Sequence, residues 1–293
     1  MTRRNAIAHM AAIVCALAAC NDNELTATGI EPTMNKVSAP AGPYSAAAYD
    51  TLLREHVNGK GLVNYKALKE DAASLDEYVA ALGSLAQSEY GAWDKPRQLA
   101  FWINAYNAIT LKYIVDNYPI KKGGLIAGLR FPGNSIRQID GVWDTKTMSI
   151  IGVPRTLDAI EHEILRAQFN EPRIHVAIVC ASIACPPLRN EAYAGERIEE
   201  QLADQSRRFV LEPRNLRIDR GANAVHISAI FDWFGDDFVP VYGQDALLSG
   251  HGKTMSAVLR FCAKHLTESD ADYLLTSAYQ VGYTDYDWAL NEQ

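Results

Sequence analysis

Leu99-Ala-Phe-Trp-Ile-Asn-Ala-Tyr-Asn-Ala-Ile-Thr-Leu-Lys-Tyr-Ile-Val115 is the stretch from which the rest of the chain is read. It is apolar on almost every side, the pattern of a helix enclosed by other elements rather than lying on a surface. Pro96 suits the first turn of such a helix, and Pro119 follows its expected end near Asn117. The flanks supply the elements that would cover it. Residues 45–58 and 67–85 read as helices, the second with Leu75, Tyr78, Val79 and Leu82 at helical spacing. Thr156 is a suitable N-cap for a helix reaching Phe169. Further helices are expected at 196–211, 229–238, 253–266 and 269–277. Strands are expected at 148–151, at 174–180 as a buried strand, at 216–218 and 224–227 as a hairpin, and at 280–288, while 120–146 reads as loop. Helices gathered in runs with few strands indicate an α+β fold, helix-rich with a small, mostly antiparallel sheet.

The chain has 293 residues, of which 48% are apolar and 22% charged, with a net charge of −7. This is ordinary globular usage and excludes a wholly disordered, collagenous or polytopic membrane protein. After the N-terminal head the longest basic runs are the pairs Lys121-Lys122 and Arg207-Arg208, too little for a grip on nucleic acid. Residues 1–19 read as a signal peptide: Arg3 and Arg4, then an apolar run from Ala6 to Ala19 broken only by His9. That run is shorter than the ~20 residues a membrane-spanning helix needs. It ends Leu17-Ala18-Ala19-Cys20, which resembles a bacterial lipobox, with cleavage before Cys20 and a lipid on its thiol; cleavage with Cys20 left free is the alternative. Losing Arg3 and Arg4 takes the net charge from −7 to −9. Residues 20–42 read as a flexible tether, and residues 43–291, without repeat or linker, as one domain. The expected location is the periplasmic face of the cell envelope, with Asn21-Asp22 after Cys20 leaning towards an outer-membrane lipoprotein.

Three places put polar groups where a core disfavours them. Asn104 and Asn107 share one face of the buried helix. Either they tie down the backbone of a neighbouring loop, or they line a site. On the 157–169 helix, Glu161 falls inside the apolar arc and His162 on its edge. A carboxylate there must meet a cation, with Arg189 as one candidate, be protonated, or face a cavity. The third place is the run that ends Cys180-Ala-Ser-Ile-Ala-Cys185-Pro-Pro-Leu-Arg189. In an extended strand His175 lies roughly 16 Å from Cys180 and on the other face, so His162 is the histidine free to approach the thiol. Cys180 is thus either a nucleophile served by His162 or half of a Cys180–Cys185 disulfide. Cys262 reads as core filler. Backbone N–H groups of residues 181–184 are candidate oxyanion donors. Tyr286-Asp287-Trp288, with Trp233 and Asp236-Asp237, reads as a capping cluster, with a site wall as the alternative. Cys-x4-Cys lacks the paired spacing of a zinc site, and no Gly-rich phosphate loop is present, so neither metal nor cofactor is expected.

Trp102–Ala108, Leu157–Arg166, Val176–Arg189 and Tyr286–Asn291, in this order, resemble the successive motifs of the DUF547 family, over about residues 50–291. The resemblance implies a papain-like or transglutaminase-like fold and a Cys–His–Glu constellation: Cys180 as nucleophile, His162 as base, Glu161 as carboxylate. Asn104, Asn107, Cys185 and Arg189 would support it. The functional expectation is a lipid-anchored envelope protein with cysteine-dependent hydrolase or acyltransferase activity on an amide or thioester. The alternative is a non-catalytic module holding a peptide, glycan or protein partner.

Overall fold

A computed structural model describes residues 44–293; the expected signal peptide (residues 1–19) and tether (residues 20–42) lie outside them. The central element is the helix Lys95–Asn117. The Asp94 side chain caps it by accepting from the Arg97 N–H at 3.0 Å, and Pro96 occupies the first turn. From Gln98 to Val115 every residue except Lys112 is buried. The helices Ala46–His56, Tyr65–Glu70 and Ala72–Ser84 pack around it.

The strands are short. β1 (Met148–Ile150) and β2 (Val153–Arg155) pair antiparallel across Ile151-Gly152, both of which adopt left-handed φ. β3 (Leu216–Asp219) and β4 (Ala224–Ile227) form an antiparallel hairpin, and β5 (Gln280–Tyr283) joins β4 in parallel. The fold is α+β, helix-rich, with mostly antiparallel pairing. Among the described residues no helix is long and apolar enough to cross a membrane.

Apolar side chains gather in two clusters. One surrounds the central helix; the other joins Phe209, Phe231, Phe238 and Phe261 to the inner faces of β3 and β4. Ile174, Ala177 and Ile178 belong to the first cluster and Val176 to the second, so the chain leading to Cys180 is clamped between them.

That segment is not the expected strand. Pro172–Val176 is a 3-10 helix, opened by the Glu171 carboxylate accepting from the Arg173 N–H at 3.0 Å. Residues 177–180 are irregular. The hydrogen bonds a neighbouring strand would make come from one side chain instead. Asn107 donates to the Ala177 carbonyl at 3.0 Å and accepts from the Val179 N–H at 2.9 Å. The extended-strand separation of His175 and Cys180 therefore does not apply.

The 156–169 helix starts as expected, with the Thr156 hydroxyl accepting from the Ala159 N–H at 3.0 Å. Its middle, Ala159–Leu165, is a π-helix, a rare form often found at functional sites. The expected loop at 120–146 contains a short helix, Leu125–Arg130, and a 3-10 turn, Ile136–Gln138. The expected last strand stops at Tyr283. Beyond it the chain turns to run beside residues 181–184. There Ile183 and Ala184 donate to the carbonyls of Ala289 and Asp287 at 2.8 and 3.1 Å, and Asn291 donates to Ala181 at 3.0 Å.

Candidate functional site

Cys180 lies where the clamped segment meets this C-terminal run. It is half-buried, and Ala181 after it adopts φ 58°, a left-handed conformation that is strained for alanine. The sulfur is 3.0 Å from the Tyr286 hydroxyl and 3.1 Å from Ser182 Oγ, and Ser182 also donates to Tyr286 Oη at 3.2 Å. The Cys180 N–H donates to Cys185 Sγ at 2.8 Å. All three cysteines among the described residues are free thiols, so the Cys180–Cys185 bridge is not formed.

A hydrogen bond from the Cys185 side chain, then those from Ser182 and Tyr286, bring the Cys180 thiol down to about 6, against the opposing effect of burial. Burial pushes Cys185 well above the ordinary thiol range and, with the neighbouring cysteine charges, does the same to Tyr286. The arrangement is one acidic thiol beside two groups that keep their protons, Cys185 and Tyr286, with Ser182 donating its single proton to the Tyr286 hydroxyl. Cys262, buried in the second cluster, is pushed upward by burial alone.

The buried asparagines serve backbone. Asn107 holds residues 177 and 179, as described, and Asn104 does the same for Tyr193, donating to its carbonyl at 2.8 Å and accepting from its N–H at 2.9 Å. Only Asn107 acts on the segment that carries the thiol.

Glu161 is 7% exposed. Burial raises its carboxyl to about 7, and the Tyr106 hydroxyl, donating at 3.2 Å, is the main opposing effect. The Cys180 charge also pushes it upward. Arg189 does not meet it. That guanidinium bonds to Glu191 and, at 2.5 Å, to Asp204. The cation acting on Glu161 is Arg166, which lies on its own helical segment.

His162 is exposed, and no hydrogen bond joins it to Cys180. Its Nδ1 accepts from Arg166 at 2.9 Å, and partial loss of water around the ring, then the Arg166 charge, lower its pKa. Arg166 in turn grips Asp237 through two bonds of 2.6 and 2.8 Å. Asp237 also meets His175 Nε2 at 2.8 Å, and the His175 ring stacks on Phe234 at 4.2 Å. A pocket of about 230 Å³ opens beside this second polar group, lined by Arg166, Asp236, Asp237, Glu171, Pro172 and Ile174. The candidate residues thus divide: Cys180, Cys185 and Glu161 share one electrostatic neighbourhood, whereas His162 is tied to Asp237 through Arg166, and Arg189 is tied to Asp204.

Of the proposed oxyanion donors, the Ile183 and Ala184 N–H groups are taken by the C-terminal run. The 286–288 segment is a wall of the site rather than a cap. Tyr286 touches the sulfur, and its ring packs on Trp233 and Trp288 at 4.8 and 4.6 Å. No sequence motif marks Ser182 or Tyr106 as a site residue. Ser182 lies two positions from Cys180, and Tyr106 is on the same buried helix as Asn107, which were the available signals. Elsewhere, donor atoms of Glu55, His56 and Asp71 come within 4.8 Å of one another, with His56 Nε2 meeting Asp71 at 3.4 Å.

No curated protein and no solved structure matches the chain. The family described as "Protein of unknown function, DUF547" matches residues 90–210, a narrower span than the motifs suggested, with the Tyr286–Asn291 motif outside it. Cys180, Cys185, Glu161, His162 and both buried asparagines lie within the matched residues.

Proposed function

We propose that the protein is a thiol-dependent hydrolase or acyltransferase of the cell envelope, with Cys180 as nucleophile and an amide or thioester carbonyl as target. The observation that supports this reading is the sulfur's own environment. A half-buried thiol whose pKa is lowered by the hydrogen-bonding groups around it has a larger thiolate share near neutral pH than an ordinary cysteine. Its lone pair forms the C–S bond while the carbonyl π pair moves to oxygen. Return of that pair expels the amine or thiolate. Glu161, part protonated near neutrality and coupled to the Cys180 charge, is the acid that protonates an amine leaving group. Water or an acyl acceptor then attacks the thioester, yields its proton to the Glu161 carboxylate, and regenerates the Cys180 thiolate. In this reading hydroxyls take over the activation that the motif resemblance assigns to His162. The papain-like or transglutaminase-like relationship belongs to the same proposal.

Iodoacetamide at pH 7, followed by mass spectrometry, tests it. Cys180 is expected to label at least tenfold faster than Cys185 or Cys262. Tyr286→Phe is expected to slow it several-fold near pH 7 and much less above pH 9. An inert Cys180 defeats the reading. His162→Ala separates the two modes of activation: retained labelling assigns it to the hydroxyls, lost labelling to the imidazole. The lack of an imidazole bond on the sulfur favours a second reading, a binding module for a peptide, glycan or protein. Cys180→Ser with unchanged partner capture supports that one. The proposed lipid on Cys20 places the domain at the outer membrane. An alkyne-tagged fatty acid is expected to label the wild-type chain and not Cys20→Ala.

A further inference from the structure

Arg137 lies in the 120–146 segment, which neither the motifs nor the reading above uses. Its guanidinium carbon sits 4.4 Å from the ring centre of Trp288, 4.9 Å from Trp143 and 5.1 Å from Phe131. The Trp288 ring is 4.6 Å from that of Tyr286, whose hydroxyl is 3.0 Å from the Cys180 sulfur. The aromatic cage around Arg137 is therefore continuous with the wall of the thiol site. The Arg137 Nε is buried and unbonded, and among the described residues its guanidinium pairs with no carboxylate.

This is an unusual way to hold an arginine. Half-buried charges are ordinarily paired, because desolvating a cation without a counter-ion is unfavourable. Aromatic faces offset part of that penalty and hold the fork in one plane, but they leave its N–H donors unused. The loop is built to keep this geometry. The Gln138 carboxamide donates to the carbonyls of Ala127, Phe131 and Pro132 at 3.0–3.1 Å and accepts from the Gly123 N–H at 2.8 Å, fixing the segment beside Arg137. Asp158 and Arg130 are the other charged groups that act on Arg137, with opposite signs, together with Cys180 and Tyr286. A planar, rigid fork with free donors matches a carboxylate. With the Asp158 carboxylate also acting on Arg137, on a chain of net charge −7, the place is poorly matched to a polyphosphate.

We infer that Arg137, in its cage of Phe131, Trp143 and Trp288, binds a carboxylate carried by the substrate whose carbonyl Cys180 attacks. The substrate class is then an acyl compound or peptide with a free carboxylate near the scissile bond. The inference rests on the Cys180 reading for what lies beside the carboxylate, but not for the carboxylate site itself.

Two measurements on the full chain test it. The first is the ratio of Cys180 alkylation rates with iodoacetate and iodoacetamide, normalised to glutathione. An Arg137 site raises that ratio about tenfold. Arg137→Gln is expected to return it to the glutathione value, and Arg137→Lys, which keeps the charge without the fork, to lose most of it. Removing the charge also changes the thiolate fraction, but that moves both reagents together and leaves the ratio intact. A wild-type ratio equal to that of glutathione, or one unchanged by Arg137→Gln, overturns the inference while leaving the nucleophile standing. The second is titration of tryptophan fluorescence with N-acetylglycine, which needs no reactive thiol. Saturable binding that Arg137→Gln abolishes supports the site even where Cys180 is inert, an outcome that removes only the enzyme reading. An inert Cys180 together with no saturable binding overturns both.

Discussion

Asn107→Ala is expected to lower unfolding stability by about 3–5 kcal/mol and to disorder the segment that carries Cys180. The carboxamide is buried and answers two backbone groups, the Ala177 carbonyl and the Val179 N–H, which have no strand beside them. Truncation leaves both unpaired, at ~1–3 kcal/mol each, and opens a small cavity. For a domain of this size, roughly 2–4 °C of Tm is lost per kcal/mol, so a fall of about 10 °C is expected. Asn104→Ala is the informative partner, because it breaks an equivalent pair of bonds at Tyr193. Urea unfolding is expected to give the two variants similar losses. Alkylation of Cys180 is expected to change strongly only in Asn107→Ala. Equal labelling in both variants, or an unchanged urea midpoint for Asn107→Ala, contradicts the role given to this side chain.

Glu161→Gln is expected to stabilise the protein at pH 8.5 and not at pH 5. Burial raises the folded carboxyl from the ordinary 4.5 to about 7. The folded state therefore binds this proton more tightly than the unfolded chain, and between those two values stability falls as pH rises. Above about pH 7 the folded protein carries a buried, ionised carboxylate. A shift from 4.5 to about 7 is worth ~3 kcal/mol at most, and partial relaxation makes about 2 kcal/mol a reasonable figure. Glutamine keeps an acceptor for the Tyr106 hydroxyl and removes the charge. Urea midpoints at the two pH values decide the matter. A loss of stability of equal size at both would mean that Glu161 is held for its shape and not in a proton equilibrium. The same substitution is expected to lower the pH at which Cys180 becomes reactive, since the Glu161 and Cys180 charges oppose each other.

How far the site could be read from the residues depended on where their partners lie along the chain. The central helix was legible because an apolar surface on every side needs no knowledge of what covers it. Burial of Glu161 followed from its angle on a helical wheel. The 174–180 stretch misled because a short run of valine, isoleucine and alanine fits a buried strand and a buried irregular segment equally well. Its hydrogen bonds go to a side chain 70 residues earlier. Arg189 misled in a similar way: carboxylates at 191 and 204 reach it, and the one at 161 does not.

From its residues alone the chain could be recognised as a helix-rich α+β protein built on a buried helix, with polar groups out of place at Asn104, Asn107, Glu161 and Cys180. Hydrophobic periodicity and misplaced polarity are local properties, and they survive without any knowledge of the fold. Which donors surround the sulfur was decided by tertiary structure. Tyr286 is 106 positions from Cys180, and nothing short of the packed C-terminal run brings its hydroxyl to within 3.0 Å. Hydrogen bonds act over about 3 Å whatever the separation in sequence, so the chemistry of the thiol is set by that packing.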